Sequence, residues 1–182
     1  IEAALADKSA PVRVAAIAAL AAADPEKSGP LLRARYDAGD GKERAAVMGA
    51  LEKVPPAVAA DLAEAGTKSD VLEVRGSAVE ILQTRAGELK KAGRDSVPAL
   101  IATYAACAGR EWYETRGTLC GALAAWGAPP ADVEPKPAAD PRVVAALRAA
   151  LDDPYRAVRE AAAKGLKDCL GGELAKVSDQ PD

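Results

Sequence analysis

Carboxylates are the first residues in this chain whose spacing suggests chemistry. Asp152 and Asp153 are adjacent, and Glu111 and Glu114 flank Trp112-Tyr113. Paired acids can share general acid–base work, and an acid beside aromatic rings can hold a sugar or a base. Both sets, however, stand where helical segments open, and there acids accept hydrogen bonds from free amides and offset the helix dipole. That structural role outweighs a catalytic one. The chain has no histidine, which removes Ser-His-Asp triads, Cys-His dyads and HExxH zinc sites. It has no Cys-x-x-Cys pair and no glycine-rich phosphate loop. The expectation is a protein that is not an enzyme, with no catalytic residue, no metal ligand and no cofactor.

What must position any site is a repeated element. An arginine followed seven residues later by a leucine occurs five times: Arg13 with Leu20, Arg44 with Leu51, Arg75 with Leu82, Arg116 with Leu123, and Arg159 with Leu166. The arginines are spaced 31, 31, 41 and 43 residues apart, the mark of one supersecondary unit copied along a chain. Position +3 reads Ala16, Val47, Ala78, Leu119, Ala162, and position +4 reads Ile17, Met48, Val79, Cys120, Ala163. On a helix these positions share one face, so each copy carries an apolar stripe. Val12, Val74 and Val158, one residue before the arginine, widen it.

A shorter apolar segment precedes each stripe, so each unit reads as two antiparallel helices, A then B. Helix B is predicted at about 10–23, 41–53, 70–91, 112–126 and 154–170, and helix A at about 1–6, 28–38, 56–65, 96–108 and 141–151. Ser9-Ala10-Pro11 and Asp153-Pro154 place a capping oxygen just ahead of a proline at the helix start. Gly39-Asp40 and Gly66 to Asp70 punctuate the A–B turns of the second and third copies. No run alternates with period two, so no strand is expected. The fold class is therefore all-α: an α-α superhelix of about five hairpins.

Residues 1–170 read as a single domain with repeats at about 1–24, 25–54, 55–92, 93–127 and 140–170. A proline-rich connector spans 127–141, and 171–182 form a polar tail. Alanine supplies much of the 49% apolar content, and aromatics are 3% with no phenylalanine. Alanine favours the helix but buries little area, which a stack tolerates because neighbouring repeats stabilise one another.

The stretch from Leu5 to Leu20, with Asp7, Pro11, Val12, Arg13 and the alanines after it, resembles a HEAT repeat of the short bacterial kind shared with phycobilin lyases. Leu151 to Ala162, with Asp153, Pro154, Val158 and Arg159, resembles it equally. The likeness covers nearly the whole chain through the arginine and leucine register. Gly117, Thr118 and Trp112-Tyr113 depart most from it. It implies an α-solenoid and leaves the ligand open.

Each repeated arginine follows an acid by five to seven residues: Asp7, Asp37, Asp70, Glu111 and Asp153. In HEAT-like stacks such pairs tie the A–B turns together, within or between repeats, so Arg13, Arg44, Arg75, Arg116 and Arg159 are expected to form a structural ladder with these acids. The outward face of helix B lies at +1 and +5: Val14 and Ala18, Ala45 and Gly49, Gly76 and Glu80, Gly117 and Gly121, Glu160 and Lys164. Small residues there let a partner helix or extended peptide approach closely. The expected site is a groove across the first four copies, using Val14, Ala18, Gly49, Glu80, Gly117, Gly121 and Lys164, with Trp112 and Tyr113 as an edge anchor. The partner is then another protein.

Nucleic acid binding is the alternative, because HEAT-like solenoids include DNA glycosylases. Those need a positive face, whereas this chain has net charge −3 and a pI near 5.2. A bilin lyase or chaperone is a third reading, suggested by the repeat subtype alone. Cys107, Cys120 and Cys169 are too few and too separated for a disulfide framework, Cys107 and Cys120 lying about two turns apart on paired helices. Reduced thiols favour the cytoplasm. The chain begins at Ile1 rather than methionine, so it reads as processed or as a fragment with further repeats before it, which keeps a periplasmic or exported location open. No stretch is apolar enough to span a membrane.

Overall fold

A computed structural model describes residues 1–129 and 137–171. Residues 130–136 of the proline-rich connector and 172–182 of the polar tail lie outside the described residues. Those described are all-helical: ten α-helices and three 3₁₀ turns, with no strand. Among them no helix is long and apolar enough to cross a membrane. The chain packs as two compact units, Ile1–Leu82 and Gln83–Asp182.

The first unit opens with a 3₁₀ turn, Glu2–Ala6, packed on α1 (Ala10–Ala23). Then come α2 (Pro25–Ala38), α3 (Gly41–Ala50), α4 (Pro56–Gly66) and most of α5 (Leu72–Thr84). α3 starts where the sequence says it should. The Asp40 carboxylate accepts from the Lys42 and Glu43 amides, and Glu43 accepts in return from the Asp40 amide at 3.0 Å, a complete capping box. Gly39 is required at this corner, since a Cβ would lie 2.6 Å from the Arg35 carbonyl oxygen. Gly66 likewise fits between Met48 and Ala78, joining α3, α4 and α5.

The second unit holds α6 (Ala86–Lys91), α7 (Val97–Ala106), α8 (Tyr113–Gly127), α9 (Pro141–Ala149) and α10 (Arg156–Leu170). α8 and α10 share its most extensive helix–helix contact. Gly165 allows this, because its position lies against Ala124 and Leu147. Gly127 does the same for α9 against Val143.

The repeated register is the core. Ile17 and Leu20, Val47, Met48 and Leu51, Val79 and Leu82, Leu119 and Leu123, and Ala163 and Leu166 are all buried. A buried leucine of this kind contributes roughly 1.5–3 kcal/mol relative to exposure.

Four local expectations are corrected. Helix B of the third copy is not continuous over 70–91: it breaks at Arg85 into α5 and α6. Thr84 and Gly87 are weak helix formers, and the Arg85 guanidinium turns forward to pair with Glu88 in the first turn of α6 at 2.8 Å. α10 starts at Arg156, so Pro154 stands ahead of the helix rather than at its first position, because Asp153 turns inward instead of capping. Ser9 precedes α1 without a side-chain capping bond, and Val12 is 41% exposed although Val74 and Val158 are buried.

Candidate partner-binding groove

Two helix B elements build the deepest joint of the second unit. At their N-terminal ends Arg116 donates from Nε and Nη2 to the two Asp153 carboxylate oxygens, at 2.7 and 3.1 Å. Further along, Ala124 meets Gly165. Matching ends therefore lie together, and α8 and α10 run parallel. Their outward faces enclose a cleft of about 630 Å³.

The floor of this cleft is almost without side chains. Gly117, Gly121, Ala124 and Ala128 line it from α8 and the turn after it, and Ala161 and Gly165 from α10. No neighbouring atom lies within 4 Å of where a Gly117 Cβ would stand. At Gly121 a Cβ would meet the Gln83 amide nitrogen at 2.8 Å, so Gln83 arches over this part of the floor. Lys164 and Asp168 stand one turn apart on the α10 rim, both exposed. The arrangement can receive a backbone closely and offers donors and acceptors at its edge. It offers no nucleophile. Cys120 faces the opposite, buried side of α8, where burial pushes its thiol up to about 12. Among the described residues no group of three or more Cys, Asp or Glu side chains is placed to hold a metal ion.

Of the residues expected to bind a partner, Gly117, Gly121 and Lys164 come together here. Val14, Ala18, Gly49 and Glu80 belong to the first unit, the last three exposed and Val14 half-buried. Trp112 and Tyr113 do not line the cleft. Trp112 ends the 3₁₀ turn Arg110–Trp112 ahead of α8. Tyr113 stacks on Tyr155 with ring centroids 5.2 Å apart and donates its hydroxyl to Glu114. Both lie at the Arg116–Asp153 end of the joint.

The repeated arginines share one habit: each donates to main-chain carbonyls of its own A–B turn. Arg13 reaches the Asp7 and Lys8 carbonyls, Arg44 that of Tyr36, and Arg75 that of Ser69. Arg116 reaches Cys107 and Gly109, and Arg159 reaches Asp153 and Pro154. Of the acids before them, Asp153 pairs with Arg116, and the others take different partners. Asp7 accepts from the Ser9 amide, Asp37 pairs with Arg33, and the exposed Glu111 carboxylate lies over Gly109. Asp70 lies beside Tyr36 and Arg44 on a small surface cleft. Two of these arginines also reach a carboxylate of a later helical segment: Arg13 of α1 pairs with Glu43 of α3 at 2.6 Å, and Arg116 of α8 with Asp153 ahead of α10.

Sequence reasoning missed Glu43, Tyr104, Tyr155, Gln83 and Asp168. Glu43 had a signal, being an acid at the register position where three other copies carry valine. Tyr104, whose hydroxyl donates to Asp153 at 2.8 Å, had none.

No protein-family model matches this chain, and no curated protein is similar to it.

Proposed function

We propose that this chain is a non-catalytic protein-interaction scaffold of the HEAT-like α-solenoid type, and that its α8–α10 groove receives a helix or extended peptide of a partner protein. The observation that carries this reading is the small-residue floor between two parallel helices: Gly117 faces open space, and Lys164 and Asp168 stand at the rim. Close approach of a partner backbone gains dispersion contact over the floor, and rim polar groups fix its register. Net charge of −3 supports a protein over a nucleic acid as the partner.

Gly117→Lys combined with Gly121→Lys tests the reading. Partners captured from cells by the unaltered chain are identified and then re-measured with purified components. The double variant abolishes binding, while Gly49→Lys on the first unit leaves it intact. A partner held equally well by the double variant removes the groove from consideration.

A further inference from the structure

In copies 2 to 5 the face of helix B that looks back along the chain is covered. One residue before the repeated arginine stand Glu43, Val74, Thr115 and Val158, all buried. In copies 2 and 5 the covering element is helix B of the preceding copy. Glu43 accepts from Arg13 of α1, and Gly165 of α10 lies against Ala124 of α8. In copy 1 this face is open. Val12 is 41% exposed, and Ala15, Ala19 and Ala22, which continue its row along α1, are exposed as well. This row carries no polar side chain.

The turn ahead of α1 says what fits there. Asp7 and Asp153 occupy the same place in their copies and adopt the same conformation, with φ/ψ of −61/147 and −61/139. Each follows a 3₁₀ turn. Each accepts from the amide two residues on, at 2.7 Å from Ser9 and 2.9 Å from Tyr155. Each gives its carbonyl to its own arginine, Arg13 or Arg159. Asp153 then takes the guanidinium of Arg116 from the preceding copy. Asp7 is exposed, and among the described residues its carboxylate accepts from Ser9 alone.

We propose that the open face of α1 is a docking surface for a helical hairpin whose second helix carries an arginine in the position of Arg116. That helix lies parallel to α1 along Val12, Ala15 and Ala19, and its guanidinium closes on the Asp7 carboxylate as Arg116 closes on Asp153. This surface is separate from the α8–α10 groove and does not depend on it.

The test joins an additional copy of residues 93–127 in front of Ile1 of the full chain through a flexible linker and compares melting temperatures with the unextended chain. A docked hairpin raises the midpoint by at least about 3 °C, the shift expected for 1 kcal/mol or so in a chain of this size. Asp7→Asn or Val12→Lys removes that rise, while either change in the unextended chain moves the midpoint by less than about 1 °C, as expected for exposed positions. No rise, or a rise that survives both variants, overturns the proposal. So does an unextended chain that sediments as a dimer and becomes monomeric with Val12→Lys, because the face then belongs to a second copy.

Discussion

Arg116 and Asp153, 37 residues apart in sequence, form a two-bonded ion pair whose side chains are each 5% exposed. Every remaining polar group around it is used. Tyr104 donates to one Asp153 oxygen and the Tyr155 amide to the other, while Arg116 Nη1 spans the Cys107 and Gly109 carbonyls. The Tyr155 ring lies 5.3 Å from the guanidinium carbon and stacks on Tyr113. The pair thus fastens α10 to α7 and α8 together.

Breaking one side of this pair leaves a buried charge uncompensated. Arg116→Gln and Asp153→Asn should each lower unfolding stability by about 3–5 kcal/mol. The double variant should lose less than the sum, read by chemical denaturation. Arg33→Ala, which removes an exposed pair with Asp37, should cost no more than about 1 kcal/mol.

Acid should loosen both the Arg116–Asp153 and the Arg13–Glu43 pairs. Burial alone would push the Asp153 carboxyl up, but the Arg116 guanidinium, the Tyr155 amide and the Tyr104 hydroxyl outweigh it and hold it below the ordinary aspartate range. Glu43 is lowered in the same way, against its burial, by Arg13 and the Asp40 amide. Folded values below unfolded ones mean that this stabilisation is complete above about pH 4.5 and is lost as pH falls through the lowered values. Melting temperature should therefore drop on acidification below about pH 4, and Asp153→Asn should flatten that dependence.

Alkali should act through a thiol. Burial, then the Asp153 charge, pushes Cys120 up to about 12. A folded value raised above the unfolded one gives stability that is complete below about pH 8.5 and lost as pH rises towards the folded value. Cys120→Ala should reduce the loss of melting temperature between about pH 9 and 11. In the native protein all three thiols are buried and should react with a thiol reagent far more slowly than after denaturation.

Two neighbours on α5 should respond with opposite signs. Arg75 donates from Nε to the Ser69 carbonyl at 2.7 Å in a buried turn, so Arg75→Ala should destabilise by about 1–3 kcal/mol. Gly76 has no atom within 4 Å of its missing Cβ, so Gly76→Ala should stabilise by roughly 0.5–1 kcal/mol. Gly127→Ala should destabilise, since its Cβ would meet a Val143 methyl carbon at 2.5 Å. Thermal midpoints of the three variants check the ordering.

The legible part of this molecule was its periodicity. A leucine seven residues after an arginine fixed which face of each helix B is buried, because helical spacing places those residues on one side whatever the neighbours are. Local punctuation was legible too: Asp40 caps α3 as its place before Gly41-Lys42-Glu43 implies. The break at Arg85 was less so, since moderate propensities there are decided by packing and by the Arg85–Glu88 pair.

By itself the sequence determined the all-helical class, the helix order and the apolar stripes, all set by interactions within a few residues. Only the tertiary structure decided what the charges do. Arg116 meets Asp153 rather than Glu111, Arg13 meets Glu43, and Gly117 and Gly121 join Lys164 around one cleft. The physical reason is range: helical spacing is written in neighbouring residues, whereas a charge takes whichever oxygen the packing of a distant helix brings within reach.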